Sequence, residues 1–322
     1  MSKNKPPYEI TKEILSLVSQ VAEKLGEINA EYLIRKAPEL RKKNRIKTIQ
    51  SSLEIEGNTL SVEQVAAIFE KKRVVGPKKD IIEVENAIKV YEELESYKST
   101  SLRSFCNAHK TLLSGLLNNP GVIRSKNVGI IKGNKIAHIP PDGSIVKGLL
   151  KDLFFYLKAD KEPLLTKSCV FHYELEFIHP FLDGNGRMGR LWQTVILNEK
   201  YPIFSFLPIE TVIKKRQREY YKILSLCDNT GQSTKFIEFM LEIIRDELVN
   251  ISGITQKKSL TNRDRLDIAK KIFSNKIFSR KDYLIEFKDI SAPTASRDLK
   301  FAVEHKMVIK KGDKRNTCYS FK

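Results

Sequence analysis

Residues 178–190 read IHPFLDGNGRMGR, a polar turn that two apolar helical stripes enclose. Apolar residues at helical spacing approach the turn at Phe171 and Leu175 and leave it at Leu191 and Val195. The glycines within the turn allow the backbone to adopt left-handed conformations and to approach a ligand closely. The stretch therefore predicts a helical hairpin whose connecting turn carries the chemistry of the protein.

The side chains of the turn favour one kind of chemistry. The second helix is expected to begin near Gly186, so that its free N–H groups and its positive dipole end face the turn. Arg187 and Arg190 add fixed positive charge there. His179 can act as a general base near neutral pH, and Asp183 supplies a hard oxygen ligand suited to Mg²⁺. This combination indicates phosphoryl or nucleotidyl transfer.

The same stretch resembles the core motif of Fic-domain proteins, His-x-Phe-x-Asp/Glu-Gly-Asn-Gly-Arg-x-x-Arg, at each of its defined positions. The resemblance implies AMPylation, the transfer of AMP from ATP to a hydroxyl of a target protein, with self-modification as a further expectation. It implies that His179 deprotonates the attacking hydroxyl and that Asp183 holds the Mg²⁺ that bridges the phosphates. The alternative is a helical hairpin with incidental polar residues, which so many fixed positions in one run argue against.

The resemblance also implies which residues bind the nucleotide. Asn185 and the backbone amides of the turn would bind the α-phosphate, where charge develops, and Arg187 and Arg190 would hold the outer phosphates. A later helix would line the nucleotide pocket and place Tyr220 or Tyr221 against the adenine, although tyrosines at such positions are more often core residues. The predicted nucleotide-binding set is Gly184, Asn185, Gly186, Arg187, Met188, Gly189, Arg190, Tyr220 and Tyr221.

A second motif lies upstream, where residues 49–58 read IQSSLEIEGN. Leu53 belongs to a buried helical stripe, Glu56 follows one turn later at the edge of that stripe, and Gly57 stands where a helix C-cap belongs. A carboxylate that faces inward needs a cation, because an unpaired buried charge costs several kcal/mol. Arg190 is the candidate for that cation.

This upstream stretch resembles the inhibitory motif of autoinhibited Fic proteins, Ser/Thr-x-x-x-Glu-Gly/Asn, here Ser52 through Glu56 and Gly57. The resemblance implies that Glu56 pairs with Arg190 and disturbs productive binding of the γ-phosphate. The alternative is an ordinary helix end with a solvated glutamate.

A third segment predicts a β-hairpin. Residues 128–131 and 135–139 are short runs rich in β-branched side chains, and residues 132–134 (Lys-Gly-Asn) supply the turn. The segment resembles the flap of the family, at about residues 121–141, whose exposed edge clamps the modified segment of the target by strand addition. His138 lies at the flap base, where a structural hydrogen bond is favoured over a second catalytic role.

Composition limits the class of protein without deciding its function. A chain of 322 residues can hold one large domain and a small one. No apolar run is long enough to span a membrane, and residues 1–7 form a short polar tail, so we expect a cytoplasmic protein without a membrane partner. A homodimer is an open expectation. Four widely spaced cysteines without metal-ligand spacing are expected to be reduced: Cys106, Cys169, Cys227 and Cys318.

Positive charge is concentrated in the last fifth of the chain. The chain has 57 basic and 39 acidic side chains, a net charge of +18, and 18 basic and 8 acidic ones lie from Thr255 to Lys322. Three helices and a hairpin are expected there, with a capping box at Ser279 and Asp282 and a basic turn over residues 310–316. This order predicts a winged helix that binds DNA, with a protein-docking domain as an equally weighted alternative.

The predicted fold is mainly α: a Fic-type helical bundle with a β-hairpin flap, followed by a small C-terminal winged-helix domain. The predicted boundaries are 1–100 for an N-terminal helical region with the inhibitory helix at about 45–57, 101–250 for the Fic catalytic domain with its core motif at 179–190, 251–262 for a linker, and 263–322 for the winged helix.

Two alternatives to AMPylation stay open at this point. The same scaffold could transfer UMP or phosphocholine or remove AMP, although a motif that keeps Arg187 and Arg190 for a triphosphate favours ATP. A non-enzymatic alternative is a DNA-binding regulator whose Fic domain only senses nucleotide. The presence of both His179 and Asp183 argues against that alternative.

Overall fold

The computed structural model divides into two compact units, Met1–Ser252 and Gly253–Lys322. Each unit is mainly helical with a small antiparallel sheet, as predicted. No helix within the described residues is both long enough and apolar enough to cross a membrane. The structure describes residues 5–28, 38–132, 135–257, 261–274, 276–287, 290–313 and 317–321.

The first unit is built from helices that alternate with short turns. Its α-helices, the last of which runs past the boundary at Ser252, are α1 (Lys12–Glu27), α2 (Pro38–Ile55), α3 (Val62–Phe69), α4 (Lys78–Glu92), α5 (Leu102–Leu112), α6 (Val146–Ala159), α7 (Leu164–Ile178), α8 (Asn185–Asn198), α9 (Ile209–Lys215), α10 (Gln217–Thr230) and α11 (Thr234–Lys257). Short 3₁₀ turns occupy Leu94–Ser96 and Pro202–Ser205.

Helices α7 and α8 lie at the centre of this unit. Helix α7 has buried residues on all sides, which is typical of a helix surrounded by others. Phe171 and Leu175 are fully buried, and each such side chain stabilises the fold by roughly 1.5–3 kcal/mol. The single tryptophan, Trp192 on α8, is also buried, and its indole N–H donates to the carbonyl of Ser99 at 3.0 Å. The turn between α7 and α8 therefore connects two helices of the buried core.

The predicted flap forms a two-stranded antiparallel hairpin of β1 (Ile130–Lys132) and β2 (Lys135–His138). Lys132 pairs with Lys135, and a bulge lies between Ile130 and Ile131. Strand β2 lies beside helix α10. The predicted turn residues Gly133 and Asn134 lie outside the described residues, as do the side-chain surroundings of His138.

The second unit has its own core and its own sheet. Leu266, Tyr283 and Leu299 are fully buried within it, and the predicted capping box is present, with Ser279 accepting from the N–H of Asp282. The sheet order is β3-β5-β4, with antiparallel pairing throughout. The elements are α12 (Asn262–Phe273), β3 (Phe278–Ser279), α13 (Arg280–Glu286), α14 (Ala292–Glu304), β4 (Val308–Lys311) and β5 (Cys318–Phe321).

The four cysteines are free thiols. Burial raises the pKa of Cys169 to about 12 and that of Cys227 to about 11, so both are protonated and unreactive at neutral pH. This agrees with the expectation of unpaired, reduced cysteines.

Candidate active site

The turn between α7 and α8 reverses the chain at two left-handed residues. His179 directly follows α7 with φ 49° and ψ 61°, and Gly184 directly precedes α8 with φ 80°. A left-handed conformation costs a non-glycine residue roughly 1–2 kcal/mol, so the surrounding contacts must hold His179 in place. The residue in this unfavourable conformation is the one that the sequence predicts to be the general base.

Arg124 supplies one of those contacts, although its side chain is almost fully buried. Its Nε donates to the carbonyl of His179 at 2.7 Å, and its backbone N–H donates to the carbonyl of Pro180 at 2.9 Å. The other edge of the guanidinium donates to the carbonyls of Lys126 at 2.9 Å and Pro141 at 2.8 Å. One side chain thus ties the turn to both ends of the flap segment, a role that the sequence analysis did not predict.

His109 on α5 packs against the turn between α7 and α8. Its ring stacks on that of Phe181, with centroids 3.6 Å apart. Nδ1 accepts from the N–H of Gly121 at 2.7 Å, so Nε2 carries the proton and donates to the carbonyl of Asp183 at 3.0 Å. Burial lowers the pKa of His109 to about 4, which keeps this tautomer neutral at physiological pH. His109 was also missed by sequence reasoning, because it lies 74 positions from its partner in the turn.

Asp183 is the exposed carboxylate of the turn. Its side chain is 51 % exposed, and Oδ1 accepts from the N–H of Gly184 at 2.6 Å and from Nη2 of Arg187 at 3.2 Å. No cluster of three or more His, Cys, Asp or Glu side chains that could hold a metal occurs in the part of the chain that the structure describes. A metal at Asp183 would therefore take most of its ligands from phosphates and water, which suits Mg²⁺.

Asn185, which is expected to bind the α-phosphate, makes its hydrogen bonds within the turn in this structure. Its side chain is buried, with Oδ1 accepting from the N–H of Phe181 and Nδ2 donating to the carbonyl of Phe181, each at 2.9 Å. The amide thus shapes the turn instead of facing a ligand. The groups left for a phosphate are the first backbone N–H groups of α8, which have no acceptors within the helix.

The contact expected between Glu56 and Arg190 is present. Oε1 of Glu56 accepts from Nη2 of Arg190 at 2.7 Å, and Ser52 accepts from the same guanidinium through its hydroxyl at 3.1 Å and its carbonyl at 3.0 Å. Gly57 follows with φ 94° and turns the chain away. Burial alone would lower the pKa of Arg190, but the charge of Glu56 raises it above its ordinary value.

Two glycines of the motif lie in close contact with neighbouring side chains. A Cβ at Gly186 would lie 2.5 Å from Oε1 of Glu56. A Cβ at Gly189 would lie 2.8 Å from Cδ2 of His172 and 2.9 Å from Oε1 of Glu176. At Gly189 a side chain would meet the buried ring of His172, whereas at Gly186 it would displace the Glu56 carboxylate from its present position.

A polar cluster is buried behind the turn. Nδ1 of His172 lies 2.8 Å from Oε1 of Gln193, and its Nε2 lies 3.1 Å from the hydroxyl of Tyr220, which donates to Glu176 at 3.3 Å. Burial alone would raise the pKa of Glu176, but the neighbouring His172 and the charge of Arg190 outweigh this effect. The pKa is therefore below its ordinary value, and the carboxylate is ionised. Arg190 thus has a second negative charge nearby.

Tyr220 and Met188, two of the predicted nucleotide-binding residues, point into the core, whereas Tyr221 is partly exposed. Tyr220 is buried, with its hydroxyl engaged in the polar cluster, and Tyr221 beside it is only half-buried. Met188 is fully buried, and its N–H donates to the carbonyl of Gly184 at 2.9 Å. Within this set, Tyr221 keeps surface for a ligand on α10, beside the flap.

Comparison with known proteins agrees with this geometry. The model of the Fic/DOC family matches residues 99–197, which include α5, the flap and the turn. Among curated relatives, the protein adenylyltransferase Fic of Drosophila mojavensis is 28% identical over 240 residues, which cover 71% of this chain and 45% of that protein. The one from Drosophila virilis is 28% identical over 205 residues, 60% of this chain and 40% of that protein. The chain spans less than half the length of these curated relatives.

Solved structures extend the similarity to the whole chain. A Fic domain containing signaling protein from Bacteroides thetaiotaomicron, 19% identical, shares the fold over 78% of this chain and 100% of its own, with a TM-score of 0.61. A Fic family protein from Desulfovibrio desulfuricans G20 is 37% identical and covers 99% of this chain and 98% of its own, with a TM-score of 0.76. With that identity over nearly the full length of both chains, this protein belongs to the Fic family.

Proposed function

We propose that this protein transfers AMP from ATP to a hydroxyl of a target protein or of itself, and that Glu56 restrains the reaction. The observation that carries the proposal is one arrangement of groups. A base (His179), an exposed carboxylate (Asp183) and two arginines surround the N-terminus of α8. The adenylyltransferase names of the curated relatives support the same class of reaction.

The positions of these groups support the following reaction. His179 accepts the proton of the attacking hydroxyl, whose oxygen forms a new bond to the α-phosphorus. The bond between the α-phosphorus and the bridging oxygen of the β-phosphate breaks, and pyrophosphate leaves. Charge that develops on the α-phosphate oxygens is stabilised by the N–H groups at the start of α8, which are already oriented before the reaction.

The two arginines favour a triphosphate as the donor. Arg187 and Arg190 are held on one face of α8, so each can neutralise phosphates beyond the transferred one. Mg²⁺ bound at Asp183 would neutralise the phosphates further and polarise their oxygens. UMP transfer and removal of AMP use parts of the same site and are therefore tested together with AMPylation; phosphocholine transfer is tested separately, with labelled CDP-choline as the donor.

The restraint rests on the pairing of Glu56 with Arg190. While Glu56 holds Nη2 of Arg190, that guanidinium is unavailable to the γ-phosphate. The Glu56 side chain is 31% exposed, whereas the Arg190 side chain is only 1% exposed. The glutamate is therefore the mobile partner of the pair and the one that an entering triphosphate would displace.

The test is incubation of the full-length protein with Mg²⁺, host lysate and either α-labelled ATP or α-labelled UTP. Wild type is compared with Glu56→Gly. AMPylation predicts labelled protein bands from ATP that strengthen in the variant. Label from UTP instead, or loss of label from AMP-modified protein, would favour the alternative reactions.

Asp183→Ala should abolish Mg²⁺-dependent labelling in the Glu56→Gly background, because the site then lacks its only exposed carboxylate for the metal. The metal contributes several kcal/mol to transition-state stabilisation, so we expect a loss of roughly 10²-fold or more in rate. Asp246→Ala is the matched control, since Asp246 is also a partly exposed aspartate paired with an arginine, but on α11. Labelling that survives both EDTA and Asp183→Ala would contradict the assignment.

For the second unit we propose binding to double-stranded DNA. Helix α14 has two acidic residues: Asp298 turns inward and pairs with the buried Arg265 at 2.8 Å, and Glu304 lies at the exposed C-terminal end, 3.9 Å from Lys300. Its cations Arg297 and Lys300 point to solvent. Arg280 is also exposed and donates to Ser296 of α14 at 3.0 Å, and β4 presents Lys310 and Lys311. A helix with outward cations beside a basic strand fits a phosphate backbone.

DNA binding of the full-length protein should fall steeply with salt. Each phosphate neutralised should change the logarithm of affinity by about −0.9 per logarithm of salt concentration. In gel shifts at about 50 and 200 mM salt, the double variant Arg297→Ala/Lys300→Ala should weaken binding and reduce this slope. Lys158→Ala/Lys161→Ala is the control, with the same loss of charge on the first unit. No shift at low salt would leave the basic face as a protein-docking surface.

A further inference from the structure

Glu83 on α4 contacts the first arginine of the motif and is not part of the motif itself. Its Oε1 accepts from Nη1 of Arg187 at 3.0 Å. The two side chains are only 7% and 5% exposed. Nε of Arg187 is buried and makes no hydrogen bond within the described residues. The guanidinium is therefore held through its two terminal nitrogens, one on Glu83 and one on Asp183.

The other oxygen of Glu83 is fixed by the segment that carries the restraint. Oε2 accepts from Nδ2 of Asn58 at 2.9 Å, two residues after Glu56. Asn58 is itself buried and held, because its Nδ2 also donates to the carbonyl of Asp80 and its Oδ1 accepts from the N–H of Leu60. Glu83 thus has little freedom to move.

The two arginines have partners of different character. The Glu56 side chain is 31% exposed, while that of Glu83 is 7% exposed. Removing one partner of a buried ion pair leaves an uncompensated charge, so such a pair does not open readily, whereas an exposed partner can exchange with solvent or ligand. The Glu56 contact with Arg190 is therefore displaceable, and the Glu83 contact with Arg187 is permanent.

The remaining contact of Arg187 is the exchangeable one. Nη2 lies 3.2 Å from Oδ1 of Asp183, a side chain that is 51% exposed. If Asp183 turns to a metal, this contact opens and Nη2 becomes available for a phosphate oxygen. Without the Glu83 contact, Arg187 would then have no fixed partner. Its long side chain would have to lose conformational entropy in order to bind the phosphate.

We propose that Glu83 is a positioning residue that keeps Arg187 beside the turn while Arg187 exchanges Asp183 for the outer phosphates of the nucleotide. This inference rests on the proposed use of ATP. Because the outer phosphates are absent from AMP, Glu83 should influence the binding of ATP and not that of AMP. A carboxylate that merely supported the fold would influence both.

The test is calorimetric titration with Mg²⁺-ATP and with AMP in the full-length Glu56→Gly background. Glu83→Gln keeps the shape of the side chain and removes its charge. It should weaken ATP binding by roughly 10- to 100-fold, the range for one charge-assisted hydrogen bond, and leave AMP binding unchanged. Should Glu83→Gln not fold, Asn58→Ala, which removes the support of Oε2 but keeps the ion pair, should weaken ATP binding selectively by a smaller factor.

Asp298→Asn is the matched control, because it removes the acidic partner of another buried arginine, in the second unit. It should lower thermal stability without changing the ratio of ATP to AMP affinity. Equal loss of ATP and AMP binding in Glu83→Gln would reduce Glu83 to a structural residue and overturn the proposal. Tighter ATP binding or faster transfer would also overturn it, since Glu83 would then be a second restraint. Absence of ATP binding in the Glu56→Gly parent would instead contradict the proposed function.

Discussion

Replacing Glu56 by glycine is expected to raise self-labelling from α-labelled ATP by roughly 10- to 100-fold, the equivalent of one hydrogen bond between charged groups. The variant frees Nη2 of Arg190, which Glu56 holds at 2.7 Å. Initial labelling rates at a fixed ATP concentration measure the effect. The double variant Glu56→Gly/Arg190→Ala should not be active, because the freed arginine is the group that the γ-phosphate needs.

Helix α2, which ends one residue before Glu56, offers a control. Glu54 is a glutamate two residues earlier, 41% exposed and paired with Lys214 instead of with the motif. Glu54→Ala removes a comparable charge and should leave the labelling rate at the wild-type value. A Glu56 variant no faster than wild type, or a Glu54 variant equally activated, would contradict the proposed restraint.

His179→Ala in the Glu56→Gly background is expected to lower the labelling rate by about 10²- to 10⁴-fold, the usual contribution of a general base. Binding of ATP should persist, because the arginines and the start of α8 are unchanged. Labelling rates and calorimetric titration with ATP separate the two effects.

His305 provides the control for His179. It is an exposed histidine of the second unit, where its ring stacks on that of Phe301. His305→Ala should leave transfer unchanged. A His179 variant that labels at nearly the rate of its parent would mean that another group accepts the proton.

The parts of the site that lie close together in sequence could be predicted from sequence. The turn at residues 178–190 and the stretch from Ser52 to Gly57 each carry their residues in one contiguous run, so their spacing defines them. The flanking helical stripes placed the turn between two helices, and Leu53 is buried as its place in a helical stripe predicted. The helical fold with its flap hairpin followed from the same patterns.

The residues that sequence reasoning missed act across long separations. Glu83 lies 104 positions from Arg187, and Arg124 lies 55 positions from His179. Neither belongs to a motif, and an arginine that donates to carbonyls or a glutamate in a helix has no distinctive spacing. Position within a motif also does not fix the direction of a side chain, which is why Asn185 and Met188 face inward although their neighbours line the turn.

The contacts of Arg124 have a consequence for how a target is selected. The same guanidinium that bonds the carbonyl of His179 also bonds the carbonyls of Lys126 and Pro141, on either side of the flap strands. Under the proposed function, a polypeptide that docks along the flap and shifts its base would also shift His179, the proposed general base. Discrimination between acceptors would then act on kcat as well as on affinity, so that a poorly fitting segment would be bound but modified slowly.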